Sequence, residues 1–327
     1  MLKQPLIITL LLCCLSIHVY GQFEQIVNPD DIKQQTIVNE PVTLNKGFLR
    51  AGISASFQSF DRYFDVDGTR GYLLNTNTWR KAWSYYLSLE YGVTDWFQLS
   101  VSQPYMNGQT YISYELISGG FSEYDTTISG RSRQQGLSDL NAGFSIRILK
   151  EGDQRPSITG SVMFTIPTGR KKAKDVKSSL EYNGPTGSGC FTGMVNINIR
   201  KVFYPFSAIL DATYNHTFKG ETEFMAGEGL IEYDLFNTLI FTGGFYAHLN
   251  DWIAIGNLLS LQKPVGEMTY YYDPPAKVIP KSYNIGYNPV VYFQIRRFRF
   301  YEQSTIPLFG KDSSADPVYL IGLQYMF

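Results

Sequence analysis

Cysteine, histidine and long apolar runs are all scarce in this sequence, and each shortage removes a class of protein. Of the three cysteines, Cys13 and Cys14 lie in one apolar stretch near the amino terminus, which leaves Cys190 alone. A lone thiol forms no internal disulfide, so the chain is not a disulfide framework. The histidines are His18, His216 and His248; with one distant cysteine they offer no spacing that suits a zinc site, and no metal or cofactor is expected. Charge of one sign is lacking too, with 28 basic residues against 29 acidic ones. No sequence-wide basic field therefore points to nucleic acid. Beyond the amino-terminal stretch, no apolar run approaches the roughly 20 residues that a spanning helix needs.

The amino terminus reads as an export signal. Lys3 precedes the apolar run from Leu6 to Ile17, and HVYGQ follows with Val19 and Gly21 where a signal peptidase reads. Residues 1–21 are expected to be a cleaved secretory signal, since the run is too short to anchor the chain in a bilayer. A lipid-modified terminus is disfavoured because Leu12 or Cys13, not a small residue, precedes each signal cysteine. What the chain has in abundance is aromatics: 24 Tyr, 22 Phe and 4 Trp among 327 residues. An exported, aromatic-rich chain without a spanning helix is either a secreted β-protein or a transmembrane barrel.

Strand periodicity decides between these. In LRAGISASFQ, Leu49, Ala51, Ile53, Ala55 and Phe57 alternate with Arg50, Gly52, Ser54, Ser56 and Gln58. WSYYLSLEYGV from Trp83 and DLNAGFSIRI from Asp139 alternate in the same way. Such segments fall at 46–60, 81–93, 95–106, 136–149, 155–167, 189–201, 205–218, 235–249, 252–263, 283–295, 297–308 and 316–327. Connections after odd-numbered segments are mostly long and those after even-numbered ones short, the pattern of a barrel with tight periplasmic turns and long outer loops. The expected fold is all-β: a transmembrane antiparallel barrel of about 12 strands over 46–327, with 10 to 14 allowed. The allowance comes from Pro289 inside the tenth segment, which calls for a bulge or a strand beginning near Val290, and from a two-residue turn at Arg296 and Arg297. Residues 22–45 are expected to form a periplasmic lead-in or a plug in the lumen.

The chain ends in VYLIGLQYMF, with Tyr319, Ile321, Leu323, Tyr325 and Phe327 on one side of a strand. A final Phe preceded by alternate aromatic and apolar residues resembles the signal by which the barrel-assembly machinery recognises outer-membrane barrels; Tyr325 and Phe327 carry it. PVTLNKGFLRAG from Pro41, YGVTDWFQLSVSQPY from Tyr91, GLSDLNAGFSIRIL from Gly136 and SVMFTIPTG from Ser161 extend the likeness. Together these motifs resemble the outer-membrane barrel family named for its suggested transporter in the meta-pathway of phenol degradation. The resemblance implies a single barrel in the bacterial outer membrane that passes small, often apolar, solutes. Trp96 stands where that family often has a basic residue, and no particular substrate is carried over.

Site expectations follow from the barrel phase. Arg50, Glu90, Asp139, Arg147, Arg200 and Asp211 would line the lumen, either setting selectivity or pairing across it. Trp96, Tyr204 and Trp252 in the short turns would form an interfacial aromatic girdle. The basic loop RKKAKDVK from Arg170 could meet anionic lipopolysaccharide, although a solvated loop is the better explanation. A hydrolase would need a nucleophile, a base and an orienting group, and none can be read around His216, whose outward neighbour is Phe218. The expected function is passive conduction of a small solute through outer-membrane lipid, without catalytic residues. The rivals are a structural or adhesion barrel acting through its outer loops and, more remotely, a lipid hydrolase.

Overall fold

The computed structural model describes residues 43–72, 79–116, 126–178, 181–223, 229–250, 252–271, 276–278, 282–295 and 297–327. The expected signal at 1–21 and most of the segment 22–45 lie outside the described residues, as does Arg296. Twelve strands follow in order: β1 (Leu49–Phe60), β2 (Trp79–Thr94), β3 (Phe97–Leu116), β4 (Leu140–Leu149), β5 (Ser157–Ile166) and β6 (Thr192–Phe203), then β7 (Phe206–Thr217), β8 (Asn237–His248), β9 (Ile253–Val265), β10 (Tyr283–Ile295), β11 (Phe298–Lys311) and β12 (Val318–Met326). Each pairs antiparallel with its sequence neighbour, and β12 pairs with β1 from Arg50↔Met326 to Gln58↔Val318, which closes the sheet into a barrel.

Closure leaves neither β1 nor β12 as an edge. A bilayer offers no water to an unpaired backbone group, so a sheet that spans it cannot keep an edge. The last residue completes the seam: Phe327 N donates to Leu49 O (2.8 Å). Tyr325 packs between Phe298 and Phe327, each ring centroid 4.7 Å away.

The period of two separates the faces. Ile53, Leu87, Leu210, Phe245, Leu259 and Ile321 are all more than half exposed on the outside, although each lies mid-strand. Arg50, Gln98, Asn198, Arg200 and Arg299 point inward and are buried. That is a water-protein's pattern turned inside out, as a lipid solvent requires.

Loop lengths alternate as expected, with short turns at 95–96, 204–205 and 249–252. One hairpin exceeds the expectation. β3 continues to Leu116 and pairs with Thr126–Leu137, so β3 and this arm rise beyond the rest of the wall. The arm leads into β4 through a one-residue register change at Ser138–Asp139. Two small sheets order the outer loops: Gly220–Thr222 with Ile231–Asp234, Met268–Tyr270 and Ala276–Val278, and Ser313–Ser314 with Arg62–Phe64 and Arg70–Tyr72.

Pro289 remains inside β10, paired with Asn257 of β9. The strand begins at Tyr283, not near Val290, and the register irregularity falls at Ile285/Gly286. On the β11 side the ladder has no pair at Asn288 or Pro289. Side chains cover the gap: Asn288 Nδ2 donates to Ser260 Oγ (2.9 Å), and Thr305 Oγ1 donates to Asn288 Oδ1 (2.7 Å).

Two inward glycines are filled by neighbouring rings. A Cβ at Gly322 would collide with the Tyr301 ring, and one at Gly256 with the Tyr246 ring. Gly322→Ala should therefore destabilise the barrel by about 1–3 kcal/mol through overpacking. Urea unfolding in detergent should show the loss, and Tyr301→Ala in the same chain should recover most of it. Equal loss in single and double variants would disprove the ring contact.

At the loop end, Asp316 Oδ2 accepts from the backbone N–H groups of Asp61 and Arg62, and Oδ1 accepts from Arg62 Nε, all at 2.7 Å. Burial alone would raise the Asp316 carboxyl, but donation from the Arg62 backbone and guanidinium and from Asp61 outweighs it and holds it below the ordinary value. Asp61 is pushed up, first by burial and then by the hydrogen bond and charge of Asp316. The depressed carboxyl stabilises this link above its unfolded value and loses that contribution as pH falls through the folded one; the raised Asp61 carboxyl works the opposite way. Because ionised Asp316 is the acceptor of three donors, its protonation should dominate. Amide exchange at Arg62–Phe64 should accelerate as pH drops below the carboxylate range after correction for intrinsic rates, and Asp316→Asn should remove most of that pH dependence.

Candidate functional site

The lumen is built from alternate residues of all twelve strands, and its short-turn end carries most of its charge. Arg50 near the start of β1 is ion-paired with Glu90 of β2. Gln98 Nε2 also donates to Glu90 Oε2 (2.6 Å), while Gln98 Oε1 accepts from Leu44 N (2.8 Å). Arg147 Nη2 donates to Thr43 O (3.0 Å), and Thr43 Oγ1 donates to Asp95 O (2.9 Å). Residues 43–46 thus run against the inner wall over Gly92, where a Cβ would collide with the Leu44 and Asn45 carbonyls. Arg200 faces Glu151 at 3.6 Å, and both side chains are almost fully buried. Arg299 of β11 joins this level, donating to Gln324 Oε1 (3.1 Å) and Gln294 Oε1 (3.3 Å). Among the described residues this floor holds four guanidiniums, Arg50, Arg147, Arg200 and Arg299, against the carboxylates Glu90 and Glu151.

Asp139 and Asp211 are placed elsewhere. Asp211, midway along β7, accepts from Asn196 Nδ2 (2.8 Å), Asn198 Nδ2 (3.1 Å) and Thr213 Oγ1 (3.1 Å). Neutral donors surround this carboxylate, with no basic partner among those bonds. Asp139 lies just before β4 and anchors the loop between β5 and β6. It accepts from Gly169 N (2.9 Å), Ser188 N (2.6 Å) and Ser188 Oγ (2.6 Å). Gly169 and Gly187 press so closely on each other and on this carboxylate that neither has room for a Cβ.

The opposite wall is greasy. Ile209, Tyr246, Ala254, Leu258, Val290 and Tyr292 from β7–β10 form a buried inward cluster, with Tyr301 of β11 packed against it. They sit directly above Ser207, His248, Gln294 and Arg299, so the lumen has a polar floor beneath an apolar wall on these strands.

His216 stays on the outer face as expected, exposed, 4.5 Å from the Phe218 ring and bonded through Nδ1 to Asn237 Oδ1 (2.8 Å). His248 is instead turned inward and buried, with Nε2 at 2.6 Å from Ser207 Oγ. No described carboxylate is hydrogen-bonded to its other ring nitrogen, so the pair lacks the third member of a triad. Trp96 and Trp252 are more than half exposed at short turns, and Tyr204 lies at a third, stacked 6.4 Å from His248. In the basic loop, Arg170 is spent on its own chain, donating to Asn183 Oδ1 (2.8 Å), Lys172 O (3.0 Å) and Gly184 O (2.5 Å). Lys171 and Lys177 pair with Glu221 and Glu181.

Sequence reasoning missed Arg299, Glu151 and the inward apolar cluster. Arg299 was legible, since it alternates with Phe298 and Phe300; the cluster was not, because its residues share a sequence phase with polar ones.

Comparison with solved structures places the fold. The COG4313 outer membrane channel from Pseudomonas putida F1 superimposes with a TM-score of 0.64 at 11% identity, covering 89% of this chain and 99% of that one. The transport unit of the autotransporter AIDA-I from Escherichia coli gives 0.51 at 10% identity, covering 91% and 96%. No family model matches the sequence, and no curated protein matches it. At such identities the likeness is one of fold: a closed transmembrane barrel of the bacterial outer-membrane type.

Asp139→Ala should free the loop it anchors, since three buried hydrogen bonds to a carboxylate are lost, each worth about 1–3 kcal/mol. Exchange at Gly169 and Ser188 should rise while strand amides stay protected. Unchanged loop protection would show that the carboxylate does not hold it.

Proposed function

We propose that the protein is a passive outer-membrane channel for a small solute whose body is apolar or aromatic. The observation that carries this reading is the divided interior, with an arginine-rich floor at the short-turn end and an apolar, tyrosine-bearing cluster on the inner face of β7–β11. A closed interior of balanced ion pairs needs no excess of guanidiniums over carboxylates, whereas a conduit for an amphipathic solute uses one. The fold likeness to a protein described as an outer membrane channel supports it, as does the resemblance to the phenol meta-pathway barrel family. Residues 22–45 form the second part of the proposal. Thr43 already lies inside the floor against Arg147, which favours a lumen plug over a periplasmic lead-in. Assembly through Tyr325 and Phe327, and the seating of Trp96, Tyr204 and Trp252 among lipid headgroups, belong to the same reading.

The non-conducting structural barrel is favoured by one observation, the ion-pairing and burial of the floor residues. Planar-bilayer recording separates the two. Full-length mature protein, or failing that a chain beginning near Asn45, should give steady openings that prefer anions. Arg147→Gln should lower the anion-to-cation permeability ratio roughly two- to fivefold. Openings only after truncation would assign the plug, and silence in both would overturn the channel in favour of the structural barrel.

A further inference from the structure

Glu302 breaks the rule of the outer face. Strand pairing runs Val291↔Glu302↔Ile321↔Ala55↔Tyr85↔Tyr105 across β10, β11, β12, β1, β2 and β3, and paired residues share a face. Ile321 and Tyr85 are exposed on the lipid side, so the Glu302 carboxylate is there too. It follows Phe298, at the short-turn rim, by four residues. At a rise of ~3.3 Å per residue and a tilt of ~40°, this puts it about 10 Å into an apolar band about 25 Å tall. Its hydrogen bond within the chain is a long one, from Ser304 Oγ at 3.5 Å. A carboxylate at that depth is unfavourable unless a partner meets it, and such residues mark functional positions.

The wall around it is hollow where a barrel is ordinarily convex. A concavity of about 810 Å³ spans these same six strands, with Phe300 and Leu87 adding to the surface and Glu302 on its lining. The volume lies within the range of small-molecule sites. On the inner face behind it, the small residues Gly52, Ser54, Ser88 and Gly322 alternate with the rings of Tyr86 and Tyr301.

We infer that this hollow is a docking site for a membrane-dissolved amphiphile with an aliphatic or aromatic body and a protonated amine, which Glu302 binds. The apolar lining takes the body, and the carboxylate selects the head. An ammonium meets it with full opposite charge in a medium that screens little, whereas an alcohol offers one hydrogen bond and a carboxylate is repelled. Docking there does not depend on conduction.

The test uses full-length protein in a non-ionic detergent, labelled by a photoreactive alkylamine, with decylamine, decanol and decanoate as competitors. Peptide mapping should place the label on β11, β12 and β1. Decylamine should compete roughly tenfold better than decanol, equivalent to about 1.4 kcal/mol, and decanoate worst. Glu302→Gln should bring decylamine down to the level of decanol while leaving the unfolding temperature in place. Equal competition by amine and alcohol, label spread evenly around the belt, or crosslinked pairs of the protein joined through this face would each overturn the inference. The wild-type competition series carries the test even where the variant folds poorly.

Discussion

Backbone hydrogen bonding in a solvent that offers none is the constraint on which this structure depends. In water a sheet edge is a tolerable liability; in hydrocarbon each unpaired group costs several kcal/mol. The β1–β12 seam removes both edges at once, and Leu49, the first residue of β1, accepts a hydrogen bond from Phe327, just past β12. The same constraint explains the treatment of Pro289. A missing N–H would be harmless on an edge, but here the adjacent Asn288 spans both neighbouring strands and supplies polar contacts where the ladder stops.

Closure then fixes what the interior must be. Twelve strands give a wall too long for side chains to fill it as simply as in an eight-stranded barrel, yet too short for the wide water column of a sixteen-stranded one. The chain uses the space in layers. Buried guanidiniums and carboxylates are cross-linked at the short-turn end, the polar rungs Ser145–Ser161 and Asn141–Thr165 occupy β4 and β5, and the loop anchored on Asp139 is drawn towards the lumen from the other end. Burying charge is worthwhile only where partners are supplied in place, and the turns contribute them: Glu151 reaches back to Arg200 while also accepting from Val202 N (2.7 Å).

The fold was legible because alternation and loop length are independent signals that agree. Arg50 and Ile53 differ by an odd number of positions, and so they face opposite ways wherever β1 begins. The arm at Thr126–Leu137 was not legible, since ISGRSRQQG lies outside the lipid band and is under no pressure to keep an apolar face. For the charged residues, the phase told direction and not role. Arg50, Asp139 and Asp211 all point inward, yet one is ion-paired, one anchors a loop and one is surrounded by amides. Those fates depend on Glu90, Ser188 and Asn196, which lie between 15 and 49 positions away, a distance over which a sequence pattern carries no contact information. His248 shows the same limit: near the end of a strand its face is ambiguous in sequence, and its inward turn is marked by the contact with Ser207, 41 positions away.

The exceptions to the two-faced pattern are concentrated in one sector. On β9–β11 the inner face holds Ala254, Leu258, Val290 and Tyr292, while the outer face holds Asn257, Glu302 and Ser304. Elsewhere, partition between lipid and water orients each strand, because a one-residue slip would exchange Leu for Ser along its whole length. Here the contrast between faces is weaker, although a slip would still carry Asn288, Gln294 and Arg299 to the lipid side. Shape adds to register in this sector: the Tyr246 ring meets Gly256, the Tyr301 ring meets Gly322, and Asn288 bridges both neighbouring strands. A wall oriented by packing as well as by solvent tolerates single polar groups on its lipid side, and that tolerance allows a carboxylate to stand beside a greasy hollow.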